Sequence, residues 1–203
     1  MNFDVKAKNW DNDKRKNRAA KISEEMAKAL PKDKILNAME FGCGTGLISF
    51  NLKDKFNSID LIDTSSGMIE EVKLKIQKNN YKSMKAYCVD ITSQKEILPK
   101  YDLIYTSMVL HHIVDTEKIF KVFYELLNAG GYLYVVDLNE EDGSFHSKEK
   151  DFVGHNGFNK KDFTDKAAKI GFKNIDMHDI YEDKKLIGEK EIKYSLFLMT
   201  SQK

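Results

Sequence analysis

The segment Glu40-Phe41-Gly42-Cys43-Gly44-Thr45-Gly46 holds the densest chemical signal in this 203-residue chain. Three glycines in five positions let a ligand approach the main chain where no Cβ intervenes, and let a tight turn use positive φ. A Gly-rich turn also occurs in nicotinamide-binding sheets, but those need G-x-G-x-x-G. Here Gly42 and Gly44 fit, the position three beyond Gly44 is Leu47, and the third glycine arrives one residue early at Gly46. Glu40 adds an acidic group two residues before the first glycine.

Three further polar residues stand in register with that turn. Asp63, in Ile62-Asp63-Thr64-Ser65-Ser66-Gly67-Met68, lies 21 residues after Gly42. A carboxylate there can accept hydrogen bonds from both hydroxyls of a ribose; Asp60 is a weaker candidate. Asp90, in Tyr87-Cys88-Val89-Asp90-Ile91, offers an acceptor for the amino group of an adenine, with Ile91 against the ring. The run from Tyr101 to His112 contains Ser107 and the adjacent imidazoles His111 and His112. Imidazoles titrate near neutrality, so this pair, with His155 as a third, are the candidate general bases or substrate contacts. Neighbours in an extended segment point to opposite sides, so one of the pair is expected to face the core or cap the next helix.

The elements that must position these groups alternate. Asp13–Leu30 carries Ala19, Ile22, Met26 and Ala29 at helical spacing and stops at Pro31. Short apolar runs at Lys34–Phe41, Ser58–Asp63, Met84–Val89, Asp102–Thr106 and Tyr132–Asp137 read as strands. Helices are expected at Thr45–Lys53, Ser66–Lys78 and Asp115–Asn128, the last ended by Gly130-Gly131. Asn159 caps another helix that Gly171 stops. Strand–helix alternation means a parallel sheet covered on both faces, with Glu40, Asp63, Asp90 and Ser107 each at a strand end on one edge. Two last strand-like runs, Lys173–Ile180 and Glu191–Thr200, leave a loop of about ten residues, too short for a parallel crossover, so they form an antiparallel hairpin.

The bulk numbers exclude several classes. Lys+Arg 33 against Asp+Glu 32 gives a formal charge of +1, which recruits no polyanion. The cluster Lys14, Arg15, Lys16 and Arg18 reads as a solvated helix face, so no nucleic-acid partner is expected. Neither Cys43 nor Cys88 sits in a C-x-x-C pair and no histidine cluster has zinc-finger spacing, so no metal is expected. The polar first residues do not form a signal peptide and no apolar run is long enough for a membrane span. The expected location is the cytoplasm, without membrane contact; oligomeric state is left open.

Taken in order, E-F-G-C-G-T-G, I-D-T-S-S-G-M, C-V-D-I and Y-D-L-I-Y-T-S-M-V-L-H-H resemble the successive motifs of class I S-adenosylmethionine-dependent methyltransferases, especially the small-molecule branch that includes quinone-biosynthesis enzymes. The resemblance spans Lys34 to Asp137. It implies a Rossmann-like, doubly wound α/β fold with a seven-stranded, mostly parallel sheet whose last strand is antiparallel. It implies S-adenosylmethionine as cofactor, its methionine end held by Glu40 and the Gly42, Cys43, Gly44, Gly46 turn. Asp63 would take the ribose, with Thr64 and Met68 beside the adenosine. Asp90 and Ile91 would flank the adenine, and the Ser107 main chain would meet the methionine amino group.

The expected layout is one domain: a helical cap (1–33), a cofactor-binding half (34–137), a lid-like insertion (138–158) and a closing helix and hairpin (159–203). Trp10, Phe145 and Phe158 are the candidate acceptor contacts. The sulfonium already activates the methyl group, so the protein's task is to align a small-molecule nucleophile behind it and exclude water. A base is needed only for a nucleophile that arrives protonated. A nicotinamide-dependent oxidoreductase and an RNA methyltransferase are the alternative readings.

Overall fold

A computed structural model of the chain describes residues 3–32, 36–149 and 151–203. Seven strands form one sheet in the order β3-β2-β1-β4-β5-β7-β6. They are β1 (Asn37–Phe41), β2 (Ser58–Asp63), β3 (Met84–Cys88), β4 (Tyr101–Ser107), β5 (Leu127–Leu138), β6 (Lys173–Ile187) and β7 (Lys190–Gln202). Strands β1 to β5 pair in parallel, and β7 runs antiparallel to both β5 and β6. The chain order reverses between β1 and β4, which puts a crevice at the carboxyl ends of those two strands. The first two residues expected in β1, Lys34 and Ile35, lie outside the described residues.

Alternation along each strand divides the core in two. Ala38, Ile59, Leu61, Leu103, Tyr105, Tyr134 and Val136 face α2 (Asp13–Ala29), α3 (Leu47–Leu52) and α4 (Ser66–Asn79). Their neighbours Met39, Phe41, Ile62, Ile104, Leu133 and Val135 face α5 (Ile91–Gln94), α6 (Thr116–Leu126) and α7 (Lys160–Ile170). Strands buried on both faces read as continuous apolar runs, which is why the central ones are plain in the sequence. In the second layer Phe120, Phe123 and Phe163 are fully enclosed; each such ring contributes on the order of 1.5–3 kcal/mol by leaving water.

Local chemistry starts and stops the helices. The Asn12, Ser65, Asp115 and Asn159 side chains accept main-chain N–H bonds at the N-termini of α2, α4, α6 and α7. Gly171 ends α7 at φ 118°. A short helix, α1 (Phe3–Lys6), precedes α2 and packs on α4.

Two expected boundaries differ. Gly130-Gly131 lie not in a helix cap but within β5, where the register against β4 shifts between Tyr101 and Leu103. The ten-residue loop before the last strand does not exist: β6 runs on through Ile187, which pairs with Lys190 across Gly188 and Glu189. Its far half, Tyr181–Ile187, alternates between half-buried and exposed residues and sets only Tyr181 against the core, so it gives little hydrophobic signal.

Candidate functional site

The glycine turn leaves β1 with Gly42, Gly44 and Gly46 all at positive φ. They do different work. A Cβ on Gly42 would lie 2.4 Å from Val109, whereas one on Gly44 would meet only the Trp10 indole at 3.9 Å. Gly44 is therefore where the main chain is open to a ligand. Gly46 N-caps α3 and a Cβ there would strike Phe50, so it serves helix–strand packing.

Behind the turn, Glu40 is 2% exposed. Its carboxylate accepts from the Ser49 hydroxyl and from the Ser49 amide at 3.3 Å, and Ser49 Oγ lies 2.6 Å from Tyr105 Oη. Burial pushes the Glu40 carboxyl up to about 8. Asp63 accepts from the amides of Gly44 at 2.8 Å and Ser65 at 2.9 Å, which ties the end of β2 to the turn. Burial raises its carboxyl too, against those hydrogen bonds. Asp90 caps α5 through the Thr92 amide at 2.8 Å, a bond that lowers its carboxyl.

These groups line one cavity of approximately 470 Å³, within the size range of small-molecule sites. Of the residues singled out from the sequence, Glu40, Gly42, Cys43, Gly44, Asp63, Thr64, Met68, Asp90, Ser107, Trp10 and His112 reach its wall. Gly46 and Ile91 do not; Ile91 is wholly buried in the second core layer.

The acceptor-side expectations need more correction. Phe145 packs on Tyr194 and lies under the Lys185 ammonium, and Phe158 packs between His155 and Phe163, so both aromatics are core. No described residue of 138–158 lines the cavity. The roof comes instead from the N-terminal segment. Phe3, Trp10, Arg15, Arg18, Ala19 and Ile22 lie on the wall.

Ionic and polar contacts hold that roof. Asp4 accepts from the Ser65 hydroxyl at 2.6 Å and the Gly67 amide at 2.9 Å, at the start of α4. Asp11 meets Lys75 at 2.6 Å and the Thr45 hydroxyl at 2.5 Å. The Arg15 guanidinium lies 4.0 Å from the centre of the Trp10 ring and donates to the Trp10 carbonyl. In the sequence, Arg15 and Arg18 read only as solvated charge, because their register with the distant sheet edge is set by tertiary packing.

The three candidate histidines part company. His111 is 1% exposed, and its Nδ1 lies 2.5 Å from Asp137 Oδ1. His155 directs Nε2 at the Ile113 and Val114 carbonyls, 2.9 and 3.2 Å away, and stands off the cavity. Only His112 lines it. Burial and the neighbouring imidazoles push His112 down to about 4, which leaves it neutral at pH 7 and weak as a base. A fourth imidazole, His146, joins the pair. One ligand atom from each of His111, His112 and His146 falls within 4.8 Å of the others. No finger-type spacing announces this group, since His146 lies 34 positions after His112.

Residues 39–133 match the family model described as a methyltransferase domain. The chain is 31% identical over 138 residues to malonyl-[acyl-carrier protein] O-methyltransferase 1 of Ilyobacter polytropus, covering 64% of this chain and 48% of that protein. It spans about half the length, or less, of the first relatives it matches. The fold is shared with the YcgJ protein of Bacillus subtilis at a TM-score of 0.73 and 13% identity, covering 89% and 97% of the two chains. It is shared also with phosphoethanolamine N-methyltransferase 2 of Haemonchus contortus, determined with phosphomonomethylethanolamine and S-adenosylhomocysteine. That match has a TM-score of 0.71 and 15% identity, over 88% of this chain and 52% of that one. Four ordered motifs on one sheet edge, a match of residues 39–133 to a methyltransferase-domain model and a fold shared with these solved structures make this chain similar to the methyltransferases.

Proposed function

We propose that this protein transfers the methyl group of S-adenosylmethionine to a small, anionic acceptor by in-line displacement. The observation that carries the reading is the single cavity on which Glu40, the open Gly44 main chain, Asp63 and Asp90 converge from successive strand ends. In this reading Asp63 takes the ribose hydroxyls, Asp90 the adenine amino group and Glu40 the cationic methionine end. The cofactor carries the activated methyl; the chain binds it, aligns the nucleophile and excludes water under the Trp10 roof. Alignment of this kind supplies on the order of 7–11 kcal/mol of barrier lowering.

Arg15 and Arg18 on the cavity wall favour an acceptor that bears a carboxylate or phosphate. The named relatives act on malonyl-[acyl-carrier protein] and phosphoethanolamine, both acceptors outside the nucleic acids.

Calorimetric titration with S-adenosylmethionine, S-adenosylhomocysteine and NAD tests the cofactor. The first two should bind and NAD should not. Asp63→Ala should weaken both by about 10–100-fold for each ribose bond lost to a charged acceptor. Binding of NAD alone would replace this reading with that of an oxidoreductase.

A further inference from the structure

We propose that His111, His112 and His146 form a binding site for one divalent transition-metal ion of the zinc class, beside the methyl-transfer cavity. The rings close on one another: centroids are 4.1 Å apart for His111 and His112, 5.1 Å for His111 and His146, and 5.2 Å for His112 and His146. Three imidazole nitrogens at about 2.0–2.1 Å from one tetrahedral ion place ring centres roughly 5 Å apart. Bringing the nitrogens inward from their present 4.8 Å limit takes rotations about χ2, a soft torsion in histidine.

The hydrogen bonds set the tautomers that ligation needs. His111 Nδ1 lies 2.5 Å from Asp137 Oδ1, and His146 Nδ1 lies 3.0 Å from Glu149 Oε1. Each Nδ1–H donates to a carboxylate, so each Nε2 carries its lone pair free. This carboxylate–histidine pairing orients imidazoles around a bound metal and raises their basicity. Two such pairs converge here from separate parts of the chain: His111 with Asp137 at the end of β5, and His146 with Glu149 in the segment that follows.

A second observation points to a ligand. His146 is 5% exposed, and its Nε2 is buried with no hydrogen-bond partner among the described residues. A buried acceptor left without a partner is unfavourable, and the stacked Phe152 ring at 3.9 Å does nothing to satisfy it. A metal ion satisfies it together with the Nε2 of His111. Imidazole donors suit zinc, copper, nickel and iron rather than magnesium or calcium.

Three protein ligands leave a fourth position. His112 lines the cavity, so that position opens toward it and offers an anionic oxygen a Lewis-acid seat. This last step rests on the methyltransferase reading; metal binding itself does not.

The test uses full-length protein stripped with a chelator and titrated with zinc chloride and, separately, cobalt chloride. One equivalent of zinc should bind, and cobalt should give the visible ligand-field bands of a tetrahedral nitrogen site. His146→Ala should lower zinc affinity at least 100-fold, Glu149→Gln by about 10–100-fold, and His178→Ala, at an exposed strand position, by nothing. Acetate should shift the cobalt bands. If His146→Ala does not fold by circular dichroism, Glu149→Gln and the cobalt spectrum decide. No zinc uptake, full affinity in both cluster variants, or an octahedral water-like cobalt spectrum would overturn the site. Cobalt bands indifferent to acetate would overturn the open fourth position. S-adenosylmethionine binding by the stripped protein, measured in parallel, decides the cofactor reading on its own.

Discussion

Glu40 is buried behind the glycine turn, where burial pushes its carboxyl up to about 8 from its ordinary 4.5. Folding thus favours the protonated acid. That contribution to the stability of the unliganded protein is full below about pH 4.5 and is lost as pH rises through 8. A cationic cofactor end favours the ionised form, so binding should expel the proton. Titration at pH 7 in two buffers of different ionisation enthalpy should show release approaching one proton and affinity that rises toward pH 8. Glu40→Gln should abolish both effects; equal release by the variant would remove Glu40 from the site. Residue-scale legibility divides along the same line. Glu40, Asp63 and Asp90 were readable because they are locked to strand ends by short turns. Arg15 and Arg18 were not, because long-range packing alone brings them to the cavity, and the same kind of packing sets His146 beside His112.

The elements were legible wherever a buried face imposed a period. The central strands and the capped helices α4 and α7 fall close to where their apolar residues and caps place them. The outer half of the β6–β7 hairpin sets little more than Tyr181 and Tyr194 against the core, and the segment 138–158 has aromatics without periodicity. Those aromatics suggest a lid, but the segment packs down through the Asn139 and Phe158 main chains instead. Gly157 makes that possible. It sits at φ 74°, and a Cβ there would lie 2.0 Å from the Asn139 carbonyl oxygen. Gly157→Ala should therefore cost about 2–4 kcal/mol, combining left-handed strain with a main-chain clash. In a protein of this size that is a fall in Tm of roughly 4–16 °C by calorimetry. An unchanged Tm would mean that the segment is not held in this conformation. Gly143→Ala, whose Cβ would meet only the Asn156 side chain, should cost less.

At the scale of the whole molecule, a sheet edge supplies the floor of the site and the N-terminal segment its roof. Trp10 is the sole tryptophan of the chain and lies on the cavity wall. Its emission should change saturably on adding S-adenosylmethionine, with the same midpoint as calorimetry. An emission that ignores the cofactor would show that the roof does not meet it. The roof is held at two points, Asp4 on the start of α4 and Asp11 between Lys75 and Thr45. The Asp11–Lys75 pair is partly exposed, so ions in solution weaken it. If the proposed function holds, a lid fastened this way would govern how quickly spent cofactor departs. Where that departure limits turnover, Asp11→Asn would bind S-adenosylhomocysteine less tightly and yet cycle faster, and moderate salt would speed the unmodified protein in the same way. In that case the fastening that would shelter the proposed reaction would also set its pace.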